Sequence, residues 1–306
     1  MASRKASMPD FVSPQPVPSP SVSTGPTEPS APASSASSAS SAGAPGSAEP
    51  DAAAVAATLR AAGCVFAEDE ARLLIAAAGT PGELADMVGR RAAGLPLEHV
   101  LGWAEFADLR IAVDPGVFVP RRRTEFLLAQ AIALGRPGAV VLDLCCGSGA
   151  VGAALAAALD GVELHAADLD PAAVRCARRN VAAAGGRVHE GDLYDPLPAD
   201  LRGRVDLLAA NVPYVPTDAV GLLPSEARDH EALMALDGGP DGLDVLRRVA
   251  AEAPRWLAPG GHLLSETSER QAARALEIVR ASGLEGRLAT DDERYATVVV
   301  GTAPGA

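Results

Sequence analysis

The sequence predicts an α/β protein in which a small helical domain precedes an open, mostly parallel sheet. Beyond about residue 120, short apolar runs alternate with longer stretches that show helical spacing, as in a parallel sheet covered by helices. Aromatic residues make up only 3% of the chain, which suits helices and a parallel sheet better than an aromatic-rich β-sandwich. Because the 306 residues are 48% hydrophobic, they can bury a large core, and a wholly disordered protein is excluded.

The first part of the chain divides by composition. Ser, Ala and Pro dominate residues 1–50, which hold too little apolar surface to offset the entropy of ordering and are predicted to be disordered. Apolar residues then recur every three or four positions, and Thr80 before Pro81 is predicted to cap a helix. A stretch of roughly alternating apolar residues follows and predicts a hairpin. The predicted divisions are a tail at 1–50, a helical domain at 51–98, a hairpin linker at 99–118 and an α/β domain at 119–306.

The α/β domain is predicted to contain five parallel strands and a closing strand pair. The parallel strands are predicted at residues 139–145, 162–168, 187–192, 205–212 and 262–266. The closing pair is predicted at residues 284–290 and 294–301, and the helices at residues 125–135, 150–159, 170–185, 241–257 and 268–283. Since ligands bind such sheets beyond the carboxyl ends of the strands, the functional site is expected there.

Charge and hydropathy exclude several classes of partner. The net charge of −13 gives no counterion-release affinity for nucleic acid, so a protein or small-molecule substrate is favoured and direct nucleic-acid binding is not expected. No apolar run reaches the length of a membrane span, and the N-terminus lacks the apolar core of a secretory signal. The cysteines and histidines show no metal-ligand spacing. We therefore expect a cytoplasmic protein with free thiols, no bound metal and no membrane contact.

A glycine turn is predicted between the first parallel strand and its helix. Gly147 and Gly149 allow a tight turn and a close approach of the backbone to a ligand. Asp143 stands just before the turn, Asp168 ends the second strand, and Asp192 follows the third. A carboxylate at the end of the second strand can accept hydrogen bonds from two ribose hydroxyls, and Asp192 can accept one from an adenine amine. These five residues are the candidate cofactor site.

Two cofactors fit the glycine turn. Residues 147–152 match G-x-G-x-x-G with an acidic residue about 20 positions further on, as in sites that bind NAD. Asp143 beneath the turn would repel the pyrophosphate of a dinucleotide, whereas it would attract a ligand that carries ammonium and sulfonium groups. The residues therefore favour S-adenosylmethionine, and an NAD-dependent oxidoreductase remains an alternative.

The fourth parallel strand ends in the motif Asn211-Val212-Pro213-Tyr214. The Asn211 amide oxygen and the Val212 carbonyl can accept the two N–H groups of a planar amide and orient its nitrogen for methyl transfer. Tyr214 offers a ring that can stack on the amide, and Pro213 fixes the turn. Asn211, Pro213 and Tyr214 are the candidate catalytic residues, residues 211–214 are the candidate acceptor site, and Asn211 is also a candidate cofactor contact. The other interpretation is an Asn-Pro turn without a chemical role.

Several segments together resemble one enzyme family, the protein-glutamine N-methyltransferases that modify peptide-chain release factors. The segments are LPLEHVLG at 95–102, VPRRRTE at 119–125, DLCCGSG at 143–149, NVPY at 211–214 and LDGGPDGL at 236–243, with Pro259-Gly260-Gly261 and Glu266 also in register. The motif at 211–214 is shared with nucleic-acid amino-methyltransferases, whereas those at 119–125 and 236–243 are much more specific. The resemblance covers about residues 51 to 300.

The resemblance implies a seven-stranded, Rossmann-like methyltransferase sheet that uses S-adenosylmethionine. It implies methyl transfer to the glutamine of a Gly-Gly-Gln loop in a release factor, which the helical N-terminal domain helps to recognise. By motif match, residues 211–214 would hold the glutamine and the five candidate residues between 143 and 192 would hold the cofactor. The departures from the family pattern are Val212 for a proline, Cys145-Cys146 for Gly-Thr, and Arg122-Arg123 for a proline and an acid.

Two further interpretations complete the set of alternatives. The same residues 211–214 could serve an amino-methyltransferase that acts on a nucleic-acid base, and the fold could serve a cofactor sensor without catalysis.

The clusters Arg121-Arg122-Arg123 and Arg90-Arg91 are interpreted as solvated charges rather than as binding sites for phosphate or an acidic partner.

Overall fold

The computed structural model describes residues 51–305, so the predicted tail at residues 1–50 lies outside the described residues. Its first elements are the helices α1 Ala52–Ala61, α2 Ala67–Ala77, α3 Pro81–Ala92 and α4 Leu97–Leu101. The predicted cap of α3 is confirmed, because the Thr80 hydroxyl oxygen accepts a hydrogen bond from the Glu83 backbone N–H at 3.2 Å. The helical character predicted for this part of the chain follows from such local signals.

The N-terminal helices pack around an apolar cluster of their own, in which Leu59 and Leu74 are fully buried. Val100 of α4 belongs to this cluster, so α4 crosses the predicted boundary at residue 98, and that boundary stays a prediction. The helix α4 ends at Gly102, whose φ is +80°. Five residues carry too little periodicity to predict a helix, which is why α4 is not anticipated by the sequence.

A short antiparallel hairpin follows, formed by β1 Trp103–Phe106 and β2 Leu109–Ala112. Ala107 and Asp108 form the turn with φ of 50° and 61°, as a two-residue turn with both residues left-handed requires. Asn180, the last residue of the helix Pro171–Asn180, ties β2 to that helix, because its side chain exchanges hydrogen bonds of 2.9 Å with both backbone groups of Ala112.

The main sheet has seven strands within residues 51–305. They are β3 Val140–Leu144, β4 Glu163–Asp168, β5 Arg187–Glu190, β6 Val205–Ala210, β7 Leu257–Thr267, β8 Glu285–Asp291 and β9 Ala296–Thr302. Their spatial order is β5-β4-β3-β6-β7-β9-β8, with every neighbouring pair up to β7 parallel and the last two pairs antiparallel. The predicted mostly parallel, Rossmann-like methyltransferase sheet is confirmed. The strand order reverses between β3 and β6, which is where such sheets bind ligands.

Helices cover both faces of the sheet. The covering helices are α5 Glu125–Leu134, α6 Ala150–Ala158, α7 Pro171–Asn180, α9 Asp244–Trp256 and α10 Ala272–Ala281. The short helix α8 Ser225–His230 has no buried residue. One apolar cluster joins α5 and α6 to Val141 of β3, and a second joins α9 and α10 to Leu142 of the same strand. Successive residues of β3 thus enter opposite cores, as the period of a strand buried on both faces requires. Among the helices within residues 51–305, none is long and apolar enough to cross a membrane.

The strand β7 begins five residues before its predicted start at residue 262. It includes Pro259, Gly260 and Gly261, which predict a turn, and its register against β6 shifts between Val205 and Leu207. A Cβ atom on Gly261 would lie 2.6 Å from the Val205 carbonyl oxygen, so this glycine permits the close approach of the two strands. The Pro-Gly-Gly sequence therefore marks an irregularity inside the strand rather than its beginning.

Candidate active site

A cavity of about 600 Å³ opens at the carboxyl ends of the parallel strands. Its wall includes the predicted cofactor residues Asp143, Gly147, Asp168 and Asp192 as well as the predicted acceptor residues Asn211, Val212, Pro213 and Tyr214. The two ends of the predicted site thus share one cavity. Of the candidate residues, Gly149 alone does not line this cavity.

The glycine turn shows which of its positions face a ligand. Gly147 has φ +54°, and a Cβ atom on it would meet nothing within 4 Å, so its backbone borders open space. Its N–H donates a hydrogen bond of 2.8 Å to the Asp168 carboxylate. Gly149, with φ +77°, caps the N-terminus of α6, and a Cβ atom there would lie 3.0 Å from the Cβ of Ala177. The structure therefore gives Gly149 a role in packing α6 against α7.

Cys145 adopts a left-handed backbone conformation with φ 54°. This conformation costs a residue with a side chain about 1–2 kcal/mol, and it explains the glycine of the family pattern at this position. Burial and the neighbouring carboxylates of Asp168 and Asp143 raise the pKa of the Cys145 thiol far above its usual value. Burial raises the pKa of Cys146 in the same way. Both thiols are therefore neutral, which disfavours their reaction as thiolates.

Asp143 lies in the centre of the sheet and is only 2% exposed. Its carboxylate accepts a hydrogen bond of 2.8 Å from the Gly152 N–H. Burial outweighs this bond and, together with the charge of Asp168, raises the pKa of Asp143 to about 7. A buried carboxylate that ionises only near neutral pH attracts a cationic ligand strongly, because little water screens the charge.

The carboxylates of Asp168 and Asp192 have different partners within the protein. The two Asp168 oxygens each accept one backbone N–H, from Asp170 at 2.9 Å and from Gly147 at 2.8 Å, and each keeps capacity for a further hydrogen bond. Asp192 instead pairs with Arg248 of α9 at 2.7 Å. This ion pair also borders the cavity, and no sequence pattern predicts it because the partners lie 56 residues apart.

The acceptor motif leaves β6 and turns beneath the cavity. The Asn211 side-chain nitrogen lies 3.4 Å from the Thr124 hydroxyl oxygen, and Val212 is only 2% exposed. The Tyr214 hydroxyl donates a hydrogen bond of 2.6 Å to Glu266 at the end of β7. Burial and the Glu266 charge raise the pKa of Tyr214 well above its usual value, so this phenol stays neutral.

The segment at residues 236–243 braces the acceptor motif from outside. A Cβ atom on Gly238 would lie 2.6 Å from the Pro213 carbonyl oxygen, and one on Gly242 would collide with the Tyr214 carbonyl. The Gln271 side chain donates a hydrogen bond of 2.9 Å to that same Tyr214 carbonyl. The glycines of this segment are thus required because two loop backbones touch there.

Arg121 and Arg123 are more than solvated charges, although the side chain of Arg123 is 47% exposed. The guanidinium of Arg121 pairs at 2.7 Å with Glu231, and that of Arg123 pairs at 2.8 Å with Glu266. Both carboxylates are buried, so each needs a cation at its side. Both arginines belong to the motif at residues 119–125, but nothing in that motif indicates the distant glutamates with which they pair. Arg122 is exposed, as expected of a solvated charge.

Arg91 likewise differs from the expected solvated charge, since it is only 6% exposed. It bridges Glu70 of α2 at 2.6 Å and Glu226 of α8 at 2.7 Å. Because Glu226 lines the cavity, this arginine connects the N-terminal helices to the cavity wall.

Comparison with known proteins places this geometry in a family. Residues 108–222 match the family model described as the methyltransferase small domain. The release factor glutamine methyltransferase of Mycolicibacterium smegmatis is 40% identical over 220 residues, which cover 70% of this chain and 78% of that protein. The chain belongs to the release factor glutamine methyltransferase family. The family member of Geobacter sulfurreducens is 38% identical, with 72% of this chain and 78% of that protein covered.

Another relative of this methyltransferase carries a name that describes a different activity. It is the 4-amino-L-phenylalanine/4-methylamino-L-phenylalanine methyltransferase of Streptomyces pristinaespiralis, 38% identical over 205 residues, which cover 64% of this chain and 69% of that protein. Membership of the family confirms the resemblance stated from the sequence. It also decides between the two cofactors in favour of S-adenosylmethionine, the methyl donor.

The residues present fit this donor. Open space over Gly147 leaves room for close approach, and Asp168 has free hydrogen-bond capacity for a ribose diol. Asp143 places a buried negative charge where a cation gains most. Within residues 51–305 the structure contains no group of three or more His, Cys, Asp or Glu side chains that could hold a metal ion. These carboxylates and the open turn thus suit an organic cation that carries a sugar.

Proposed function

We propose that this enzyme transfers a methyl group from S-adenosylmethionine to the side-chain amide nitrogen of a glutamine, in the Gly-Gly-Gln loop of a peptide-chain release factor. The observation that carries the proposal is the shared cavity, which brings the Asn211 amide and the residue 212–214 loop beside the carboxylates of Asp143 and Asp168. Relatives named for this activity support it.

The acceptor motif would hold the glutamine amide. The Asn211 side-chain oxygen and the Val212 carbonyl would accept its two N–H groups, and the Tyr214 ring would cover its flat face. An amide nitrogen is a weak nucleophile, so orientation contributes most of the rate, and good orientation is worth up to about 7–11 kcal/mol. When bound, the donor supplies a methyl group activated by a positively charged sulfur.

Proton loss needs no dedicated base in this site. A carboxamide nitrogen that has gained a methyl group carries an acidic proton, which leaves readily to solvent. Tyr214 is unsuited to accept it, because its raised pKa keeps it protonated and its hydroxyl already donates to Glu266. Asp143, Asp168 and Asp192 would hold the donor through its cation, its ribose and its adenine, respectively.

The N-terminal helices would contribute to recognition of the release factor, which would take place in the cytoplasm. Arg91 supports this role, because it connects α3 to Glu226 on the cavity wall. The alternative of a nucleic-acid base as acceptor uses the same residues 211–214, but the net charge of −13 opposes it.

The experiment is labelled-methyl transfer with a panel of acceptors. The enzyme is incubated with the donor and with a release factor, a release factor whose Gly-Gly-Gln glutamine is alanine, tRNA, or 4-amino-L-phenylalanine. We expect label only in the unaltered release factor, and mass spectrometry should locate it on that glutamine. Transfer to the alanine variant, to tRNA or to the amino acid in preference to the release factor would contradict the proposal.

A further inference from the structure

The buried Glu266 carboxylate is the centre of a hydrogen-bond network around the acceptor motif. It is 3% exposed, and it accepts hydrogen bonds from Arg123 Nε at 2.8 Å, the Tyr214 hydroxyl at 2.6 Å and the Thr124 hydroxyl at 2.7 Å. A carboxylate paired with an arginine only accepts hydrogen bonds, so it fixes the direction of every bond it makes. In particular, it takes the one hydroxyl proton that Thr124 has.

The direction of the Thr124 bond determines what its oxygen can offer to Asn211. Since the Thr124 proton points to Glu266, the oxygen can only accept, and the group of Asn211 that faces it at 3.4 Å must be the NH₂. The two ends of an asparagine amide are distinguished by such networks alone. The Asn211 side-chain oxygen is therefore the end left for the cavity, which Asn211 lines.

We propose that Thr124, held by Glu266, is a positioning residue that selects which end of the Asn211 amide faces the acceptor. This inference rests on the proposed function, in which the Asn211 oxygen accepts an N–H from the glutamine amide. If the Asn211 amide turned over, its NH₂ would face the NH₂ of the substrate, and two donors would oppose each other. Thr124 thus stabilises the one orientation that can bind the acceptor, without contacting the acceptor itself.

The kinetic test replaces the hydroxyl and then restores it. Thr124→Val keeps the shape of the side chain but removes its hydrogen bonds, and we expect turnover of the release factor to fall about 10- to 100-fold. Affinity for S-adenosylhomocysteine should change much less than turnover, since the hydrogen bonds of the Thr124 side chain go to Glu266 and Asn211 and not to the donor-end carboxylates. Thr124→Ser should recover most of the turnover, whereas a merely structural role would leave turnover tracking the melting temperature of each variant.

A spectroscopic test follows from the composition of the chain. Its 306 residues contain only two asparagines, Asn180 and Asn211. Selective ¹⁵N labelling of asparagine side chains therefore gives two NH₂ groups, and Asn180 is an internal control because it binds the Ser148 and Ala112 carbonyls. In Thr124→Val we expect the Asn211 NH₂ signal to shift and to exchange faster with solvent while that of Asn180 stays. In Thr124→Ser both signals should stay.

The two readouts separate this inference from the proposed function. If the wild type methylates the release factor and Thr124→Val has wild-type turnover with an unmoved Asn211 signal, the inference is overturned. If the wild type modifies no release factor, the proposed function fails, and the Asn211 signal alone still decides the orientation. Should Thr124→Val not fold, Thr124→Ala removes the same bonds without a branched side chain, and the same outcomes apply.

Discussion

The two ends of the cavity are held in different ways. At the donor end, two of the three carboxylates are held by contacts that are local in sequence: Asp143 binds the backbone of Gly152, and Asp168 binds that of Gly147, 9 and 21 residues away. The third, Asp192, pairs with Arg248 across 56 residues. At the acceptor end, Glu266 binds Thr124 across 142 residues. The glycine turn is thus held by backbone groups of one βαβ unit, whereas the acceptor motif is held by side chains and loop backbones of distant segments. Variants at one end should therefore leave the function of the other largely intact.

The largest expected effect is at the acceptor end. Asn211→Ala removes the side-chain oxygen proposed to orient the glutamine, and we expect methyl transfer to fall at least about 100-fold. Calorimetry with S-adenosylhomocysteine should show a much smaller loss of affinity, because Asn211 is only one candidate donor contact and Asp143, Gly147 and Asp168 remain. Wild-type turnover by this variant would remove Asn211 from the mechanism.

The reciprocal variant is Asp168→Ala at the donor end. It removes the carboxylate proposed to bind the ribose and also frees the Gly147 N–H, so the dissociation constant for S-adenosylhomocysteine should rise about 10- to 100-fold. Asp168→Asn, which keeps one oxygen, should weaken binding less. An unaltered dissociation constant in the alanine variant would contradict the ribose role.

A smaller effect is expected from pH. Because burial raises the pKa of Asp143 to about 7, its neutral form stabilises the ligand-free protein fully below about pH 4, and this contribution is lost as pH rises through 7. A cationic ligand gains from the ionised form, so the preference for S-adenosylmethionine over S-adenosylhomocysteine should grow several-fold between pH 6 and pH 8. Calorimetry at three pH values measures both affinities. Asp143→Asn should abolish the trend, and the same slope in that variant would exclude Asp143 as its source.

The smallest effect concerns the backbone of the glycine turn. Cys145→Gly relieves a left-handed conformation that costs about 1–2 kcal/mol but adds about 0.5–1 kcal/mol of chain entropy to the unfolded state. We expect the melting temperature to rise by roughly 1–4 °C. The matched control is Cys146→Gly, at a position without positive φ, which should lower the melting temperature. A rise in the control and a fall in Cys145→Gly would show that strain is not the cause.

The sequence predicts the donor end better than the acceptor end because the residues of the glycine turn are close together in the chain, whereas those around the acceptor motif are far apart in it. Apolar periodicity and the glycine turn predict the strands, Asp143, Gly147 and Asp168, because strand, turn and helix are adjacent in the chain. The predicted start of β7 is wrong, since a Pro-Gly-Gly sequence inside a strand depends on the neighbouring strand. The roles of Arg121 and Arg123 are missed because a charge next to a helix gives no sign of a buried glutamate more than 100 residues away.

The glycines that brace the acceptor motif have a consequence for how this sequence can vary. Val212 stands where the family has a proline, so the ring constraint is absent there. The loop is held instead by Val215, whose N–H donates to the Leu236 carbonyl at 3.0 Å and whose carbonyl accepts from the Gly238 N–H at 2.8 Å. Gly238 also lies close to the Pro213 carbonyl. The path of the loop is imposed from outside, so an exchange within the motif is tolerated where its backbone carbonyl remains. Mutational tolerance in this enzyme should accordingly be lower at Gly238 and Gly242, which border the loop backbone, than at residue 212, where only the backbone carbonyl is proposed to act.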